Sequence, residues 1–328
     1  MPSEESRHLR SPLPSMDDTR GDTGDRSRAG GVEAPGLTPP VRPVPHLGPR
    51  LSPVRPSRLQ IALFLLTVVS TLLVGALHEG VDPFAAPFAW LHGLPFAIAL
   101  LSILFVHEMG HYVTARRYGV EVTLPYFIPA PTLLGTFGAF IRVRSAIADR
   151  RALVAIGAAG PIAGFLVAVP ATWIGIATSQ VGPVPAGATL ELGDSLLMKA
   201  LVRLIHGPLP AGQELLLNAV GLAGWAGVLV TALNLLPLGQ LDGGHVAYAL
   251  WGRRSRLVAV AAIGVMLVLA RQWPGWIAWC VLAVIFGLRH PPLVDPERPL
   301  GRWHQVLGVI AFMLLILCFT PVPLRIHE

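Results

Sequence analysis

Long apolar runs decide what this 328-residue chain can fold into. They cover residues 59–77, 94–118, 152–178, 215–236, 257–270, 276–288 and 306–319. A helix of ~20 apolar residues crosses the hydrocarbon of a bilayer, where lipid offers no partner for an unpaired backbone amide. The pattern therefore predicts an all-α polytopic membrane protein with about six to seven transmembrane helices. Residues 257–270 and 276–288 read as a tight hairpin of short spans around Pro274. Composition points the same way, with 53% hydrophobic and only 13% charged residues, about half the charged share of a soluble domain. A net charge of +6 would suit nucleic acid, but the cations lie in short clusters beside the apolar runs. That placement fixes orientation in a lipid bilayer, and no nucleic-acid partner is expected.

With the N-terminal end taken as cytoplasmic, its side collects fifteen arginines, from Arg50 to Arg302. The opposite side receives Lys199, Arg203, Arg271 and Arg325 only. The asymmetry predicts a cytoplasmic N-terminus and an outer C-terminus. Residues 1–58 hold no apolar run and end in a Pro/Arg stretch, so they bury too little surface to offset their conformational entropy. They are expected to form a disordered cytoplasmic tail, leaving 59–328 as the membrane-embedded domain. The tail lacks the short apolar core of a signal peptide. Cys280 and Cys318 both lie inside apolar runs, so neither a disulfide framework nor a cysteine-ligated metal is expected.

The connection between the second and third runs breaks the helical pattern. Pro125, Pro129 and Pro131 exclude a helix, and Phe140-Ile141-Arg142-Val143-Arg144 has strand-like composition, alternating apolar and basic over its last four residues. A short β-strand or hairpin is predicted at the cytoplasmic membrane edge, shielded by protein where it enters the bilayer.

Inside the second run lies His107-Glu108-Met109-Gly110-His111. Residues four apart share one face of a helix, so both imidazoles can reach one metal ion, with Glu108 beside them as a base. Three ionisable groups within five residues of a span are costly and need a joint explanation. A tetrahedral site that keeps one position for water needs a third protein ligand. Asp242 is the candidate, in a segment where Pro237 and Gly239 open the helix; a simple helix cap is the competing reading. His245 could also face the metal, although a supporting or solvent-facing role fits it better.

These residues carry a resemblance. His107-Glu108-Met109-Gly110-His111, then Gly160-Pro161-Ile162-Ala163-Gly164, then Asn234, Pro237 and Leu241-Asp242-Gly243-Gly244 resemble the site-2 protease family of intramembrane zinc metalloproteases. The segments 125–131 and 135–139 are similar to its bacterial and chloroplast branch. The resemblance spans about 59–320, with no counterpart for the tail. The loop 180–213 is too short to hold a PDZ domain, which points to a branch without one. It implies one zinc ion held by His107, His111 and Asp242, with Glu108 as general base and Asn234 as a candidate oxyanion donor. It also implies a partner: a single-span membrane protein, already shortened by another protease and cut near the cytoplasmic face. The expected setting is a bacterial cell membrane. Two other classes use the same cluster differently. A metal-ion transporter would need polar residues in several spans, and an inactive scaffold would have no need of Glu108. Gly160 and Gly164 read as close helix packing.

Overall fold

A computed structural model describes residues 55–183, 189–286 and 293–327. Most of the expected tail, 1–54, lies outside the described residues, as does His290. Helix α1 (Arg58–His78) opens on a capping box, in which Ser57 Oγ accepts from the Gln60 amide and the Gln60 side chain accepts from the Ser57 amide. A short helical turn (Ala89–Gly93) leads into α2 (Leu94–Arg117), with Pro95 in the first turn, where no intrahelical N–H bond is needed. An antiparallel pair follows, β1 (Tyr126–Pro129) and β2 (Thr136–Phe140). Helix α3 (Arg150–Thr178) starts at the Asp149 cap and runs through Pro161 and Pro170.

Beyond α3 come β3 (Gln180–Pro183), β4 (Thr189–Leu192), the short α4 (Leu196–His206) and β5 (Gln213–Leu216). Helices α5 (Ala219–Asn234), α6 (Asp242–Trp251), α7 (Ser255–Leu269), α8 (Gly275–Phe286) and α9 (Arg302–Cys318) precede a last strand, β6 (Leu324–His327). Strand β3 pairs with β5 and β4 with β6, both antiparallel. Among the described residues, three helices are long and apolar enough to cross a membrane: α1, α2 with its preceding turn, and α3. Helices α5 and α9 and most of α8 are shorter apolar segments. The described residues are mostly helical, with short strands only.

Helix α3 is the hub. Its second half packs Ala168 and Ile176 with Phe96, Leu100 and Ile103 of α2 and with Ala223, Trp225 and Val228 of α5. Its first half packs Leu153, Val154 and Ala158 with Val246 and Ala249 of α6 and Ala311 of α9. Because α3 touches α2, α5 and α6 at successive turns, it fixes the elements that carry the polar motifs.

The β1–β2 ribbon and the residues flanking its strands follow α1 along its length. Gln60 Nε2 donates to Leu124 O at 2.5 Å and Ser70 Oγ to Gly135 O at 2.6 Å. His78 Nε2 donates to Leu133 O at 2.7 Å, and Phe64 meets Phe127 edge-on at 5.1 Å between ring centres. Gln60 and His78 are eighteen residues apart, about 27 Å of helix, close to the ~30 Å hydrocarbon thickness. Carbonyls that lipid could not satisfy are thus satisfied by polar side chains on α1. The ladder also continues past β2, with the Thr123 amide donating to Arg142 O and the Arg144 amide to Glu121 O.

Candidate metal centre

Helix α2 buries His107, Glu108 and His111 together, at 3, 6 and 6% exposure. The imidazoles point the same way because they lie one turn apart, with their Nε2 atoms 3.2 Å from each other. The His111 Nδ1 lies 2.7 Å from Ile156 O. A carbonyl only accepts, so Nδ1 carries the proton and the Nε2 lone pair faces inward. Helix α3 makes room for both rings. A methyl group on Gly160 would overlap the His111 imidazole, and one on Gly164 would stand 3.0 Å from His107 Nδ1. The two glycines do serve close approach, but as seats for the imidazoles rather than for helix packing alone.

Asp242 arrives from the other side. Helix α5 stops at Asn234, and the chain folds back through Pro237 and Gly239 (φ +45°) before α6 begins at Asp242. A methyl group on Gly244 would come within 2.7 Å of Leu238 O, and one on Gly243 would strike the Leu235 carbonyl. Only this glycine pair lets the turn close onto the α6 N-terminus. Asp242 Oδ2 then stands 3.3 Å from His107 Nε2 and 3.2 Å from His111 Nε2. Among the described residues, His107, His111 and Asp242 form one group whose ligand-type atoms converge. His245 is outside it, with its Cβ toward Gly157 of α3.

The triangle has the dimensions of a metal site. Tetrahedral bonds of ~2.0–2.1 Å place neighbouring ligand atoms roughly 3.3–3.4 Å apart. The three observed separations, 3.2, 3.2 and 3.3 Å, match that edge. Two imidazole nitrogens and a carboxylate oxygen converging on one point are a donor set that suits a four-coordinate divalent ion with one position left over.

Two further groups border the triangle. Asn234, the last residue of α5, has its Nδ2 3.3 Å from His107 Nε2. The Glu108 carboxylate interacts with the backbone amide of Ile141, the residue directly after β2. The base candidate and the end of the exposed ribbon therefore meet. Sequence reasoning gave no role to Gln60 or to the carbonyl of Ile156. Gln60, a long polar side chain in an apolar run, was a visible signal, whereas a backbone carbonyl leaves none. His206 Nε2 lies 2.9 Å from Ile176 O and His304 Nε2 2.9 Å from the Tyr118 hydroxyl, so both are used structurally at helix ends.

Comparison with known proteins follows from this geometry. Residues 95–271 match the family described as peptidase family M50, 177 of the 328 residues. The chain is 30% identical over 237 residues to "Probable zinc metalloprotease EGY2, chloroplastic" of Arabidopsis thaliana, covering 70% of this chain and 42% of that protein. It is 33% identical over 241 residues to the protein of that name from Oryza sativa subsp. indica, covering 70% of this chain and 43% of that one. To "Probable zinc metalloprotease EGY1, chloroplastic" of Arabidopsis thaliana it is 32% identical over 238 residues, again 70% and 43%. The chain thus spans about two-fifths of the length of these relatives. No solved structure matches it. The matched stretch runs from the start of α2 past α7 and contains all five residues of the site, and on it the chain belongs to peptidase family M50.

Proposed function

We propose that this chain is an intramembrane zinc endopeptidase that cuts a peptide bond in or next to the transmembrane segment of another membrane protein. The observation that carries this reading is the 3.2–3.3 Å triangle of His107, His111 and Asp242 with Glu108 buried beside it. The relatives named as zinc metalloproteases support zinc as the ion. When bound, zinc supplies the Lewis acidity that peptide hydrolysis needs. Glu108 takes the proton from the attacking water and passes it to the leaving amine. Asn234 directs its amide toward the oxygen on which negative charge develops. The Ile156 carbonyl holds His111 in the tautomer that leaves Nε2 free.

A helical substrate hides its amides in internal bonds and must unwind before attack. Strand β2 pairs with β1 on one side, and Phe137 and Phe140 are exposed. An unwound segment laid along β2 by strand addition would reach Ile141 at the Glu108 carboxylate. The seven apolar runs support six to seven spans, and the arginine asymmetry supports a cytoplasmic tail and cleavage near the cytoplasmic face. The substrate we infer is a single-span regulator already shortened by another protease, in a bacterial cell membrane. A transporter would need further polar stations, and among the described residues the metal-type group is single.

The test uses three variants of the purified protein. Glu108→Gln keeps shape and is expected to hold zinc while cleavage falls at least ~100-fold. Asp242→Ala is expected to lose both zinc and activity, whereas His245→Ala keeps its zinc. Membrane proteomes of cells carrying Glu108→Gln should accumulate the uncut single-span substrate. Near wild-type cleavage by Glu108→Gln overturns the mechanism.

A further inference from the structure

Helix α4 has eleven residues, about 16 Å of length, so it is too short to cross a bilayer. Its circumference divides into three sectors. Leu197, Met198 and Leu201 are buried in the core shared with α2, α3 and α5. Leu196, Ala200 and Leu204 form a second row, one turn apart and exposed, the two leucines at 55 and 70%. Lys199 and Arg203 are exposed on a third row, on the side of the apolar row away from Leu201. A helix wholly in water would not keep Leu196 and Leu204 bare beside a full core face, and a helix wholly in lipid would not carry two cations.

We propose that α4 lies in the plane of the membrane–water boundary, with Leu196, Ala200 and Leu204 in the hydrocarbon and Lys199 and Arg203 at the phosphates. The occupant of the apolar row is lipid. Two observations select it over a second copy of the chain. The cations flank the row where headgroup phosphates would stand, as in interfacial helices. At the same end α3 also exposes the apolar Trp173 and Ile174, close in sequence to Ile176, whose carbonyl meets His206 of α4. Two of the four cations on the arginine-poor side thereby gain a role other than setting orientation.

The placement also fixes the depth of the metal centre. Gly160 seats His111 and Ile176 meets α4, sixteen residues apart on α3, about 24 Å. In a hydrocarbon layer of ~30 Å the centre then lies past the midplane, toward the end of α3 that begins at Asp149. The inference rests on the chain spanning a membrane and not on its activity.

Nitroxide labels on Leu204→Cys and Lys199→Cys test it in the full chain, reconstituted in vesicles of phosphatidylethanolamine and phosphatidylglycerol. Native Cys280 and Cys318 are buried. The label at 204 is expected to relax with lipid-soluble oxygen and hardly with a water-soluble nickel chelate, and the label at 199 to do the reverse. Ala200→Cys, the mildest change on the same row, should repeat the result at 204. Strong nickel access at 204 and 200 would put α4 in water and overturn the proposal. Shielding of both from either reagent would mean that protein covers the row, which overturns it equally.

Discussion

At the residue scale, Gly160 makes room for one of the candidate metal ligands. Its missing side chain is the space that the His111 ring occupies. Gly160→Ala should therefore push the ring off the position that lets Nδ1 donate to Ile156 O while Nε2 faces Asp242. Overpacking of this kind costs about 1–3 kcal/mol. We expect a lower Tm in detergent and at least ~10-fold weaker zinc binding, the size typical of losing a ligand's support. Gly164→Ala meets His107 at 3.0 Å, a contact that a small shift relieves, so its loss of zinc affinity should be smaller. Equal zinc affinity in Gly160→Ala and the wild type, measured by chelator competition, would remove the seat assigned to this glycine. The spacing of Gly160 and Gly164 was legible as a signature of close approach. What approaches them was not, because a ring from another helix leaves no mark in the local sequence.

At the element scale, α6 is held from both ends. Its N-terminus carries Asp242, and at its C-terminus Arg150 donates from Nε to Ala249 O at 2.7 Å and from Nη2 to Leu250 O at 2.8 Å. The last carbonyls of a helix have no internal partner, so this fork satisfies two of them and ties α6 to the first residue of α3. Arg151 carries the same charge one residue on, but its Nε donates to Pro299 O instead. Arg150→Ala should let α6 shift and weaken zinc binding by ~10-fold, while Arg151→Ala should leave it near wild type. Similar affinities in the two variants would show that charge, not the fork, is what α3 contributes. From sequence, Arg150 read only as an orientation signal. The β1–β2 ribbon shows the same limit: its prolines and alternation were readable, but its path depends on Gln60, Ser70 and His78 of a different element.

At the scale of the whole molecule, orientation is the property that a single experiment can settle. Cysteines replacing Arg144 and Arg254 should be shielded from an impermeant reagent added outside intact cells, and one replacing Asp194 should react; all three positions are exposed. Gly193 is unsuitable because any side chain there would collide with the Val322 carbonyl. Reversed labelling would move the active site to the outer face. Deleting residues 1–50 leaves the Ser57–Gln60 capping box and every described helix intact. Insertion and zinc content are therefore expected to survive that truncation, and loss of either would give the tail a folding role.

The sequence by itself determined the solvent of this chain, the helical periodicity of its apolar runs, and the residues able to hold a metal ion. Each of these is a local property: run length, a four-residue spacing, a helix broken by proline and glycine. The tertiary structure decided which oxygen joins the two imidazoles, since Asp242 meets His107 across 135 residues of chain. It also decided the tautomer of His111, set by the carbonyl of Ile156, and the path of the ribbon along α1. These depend on where one helix stops relative to another. That is fixed by packing around α3, and no single segment encodes it.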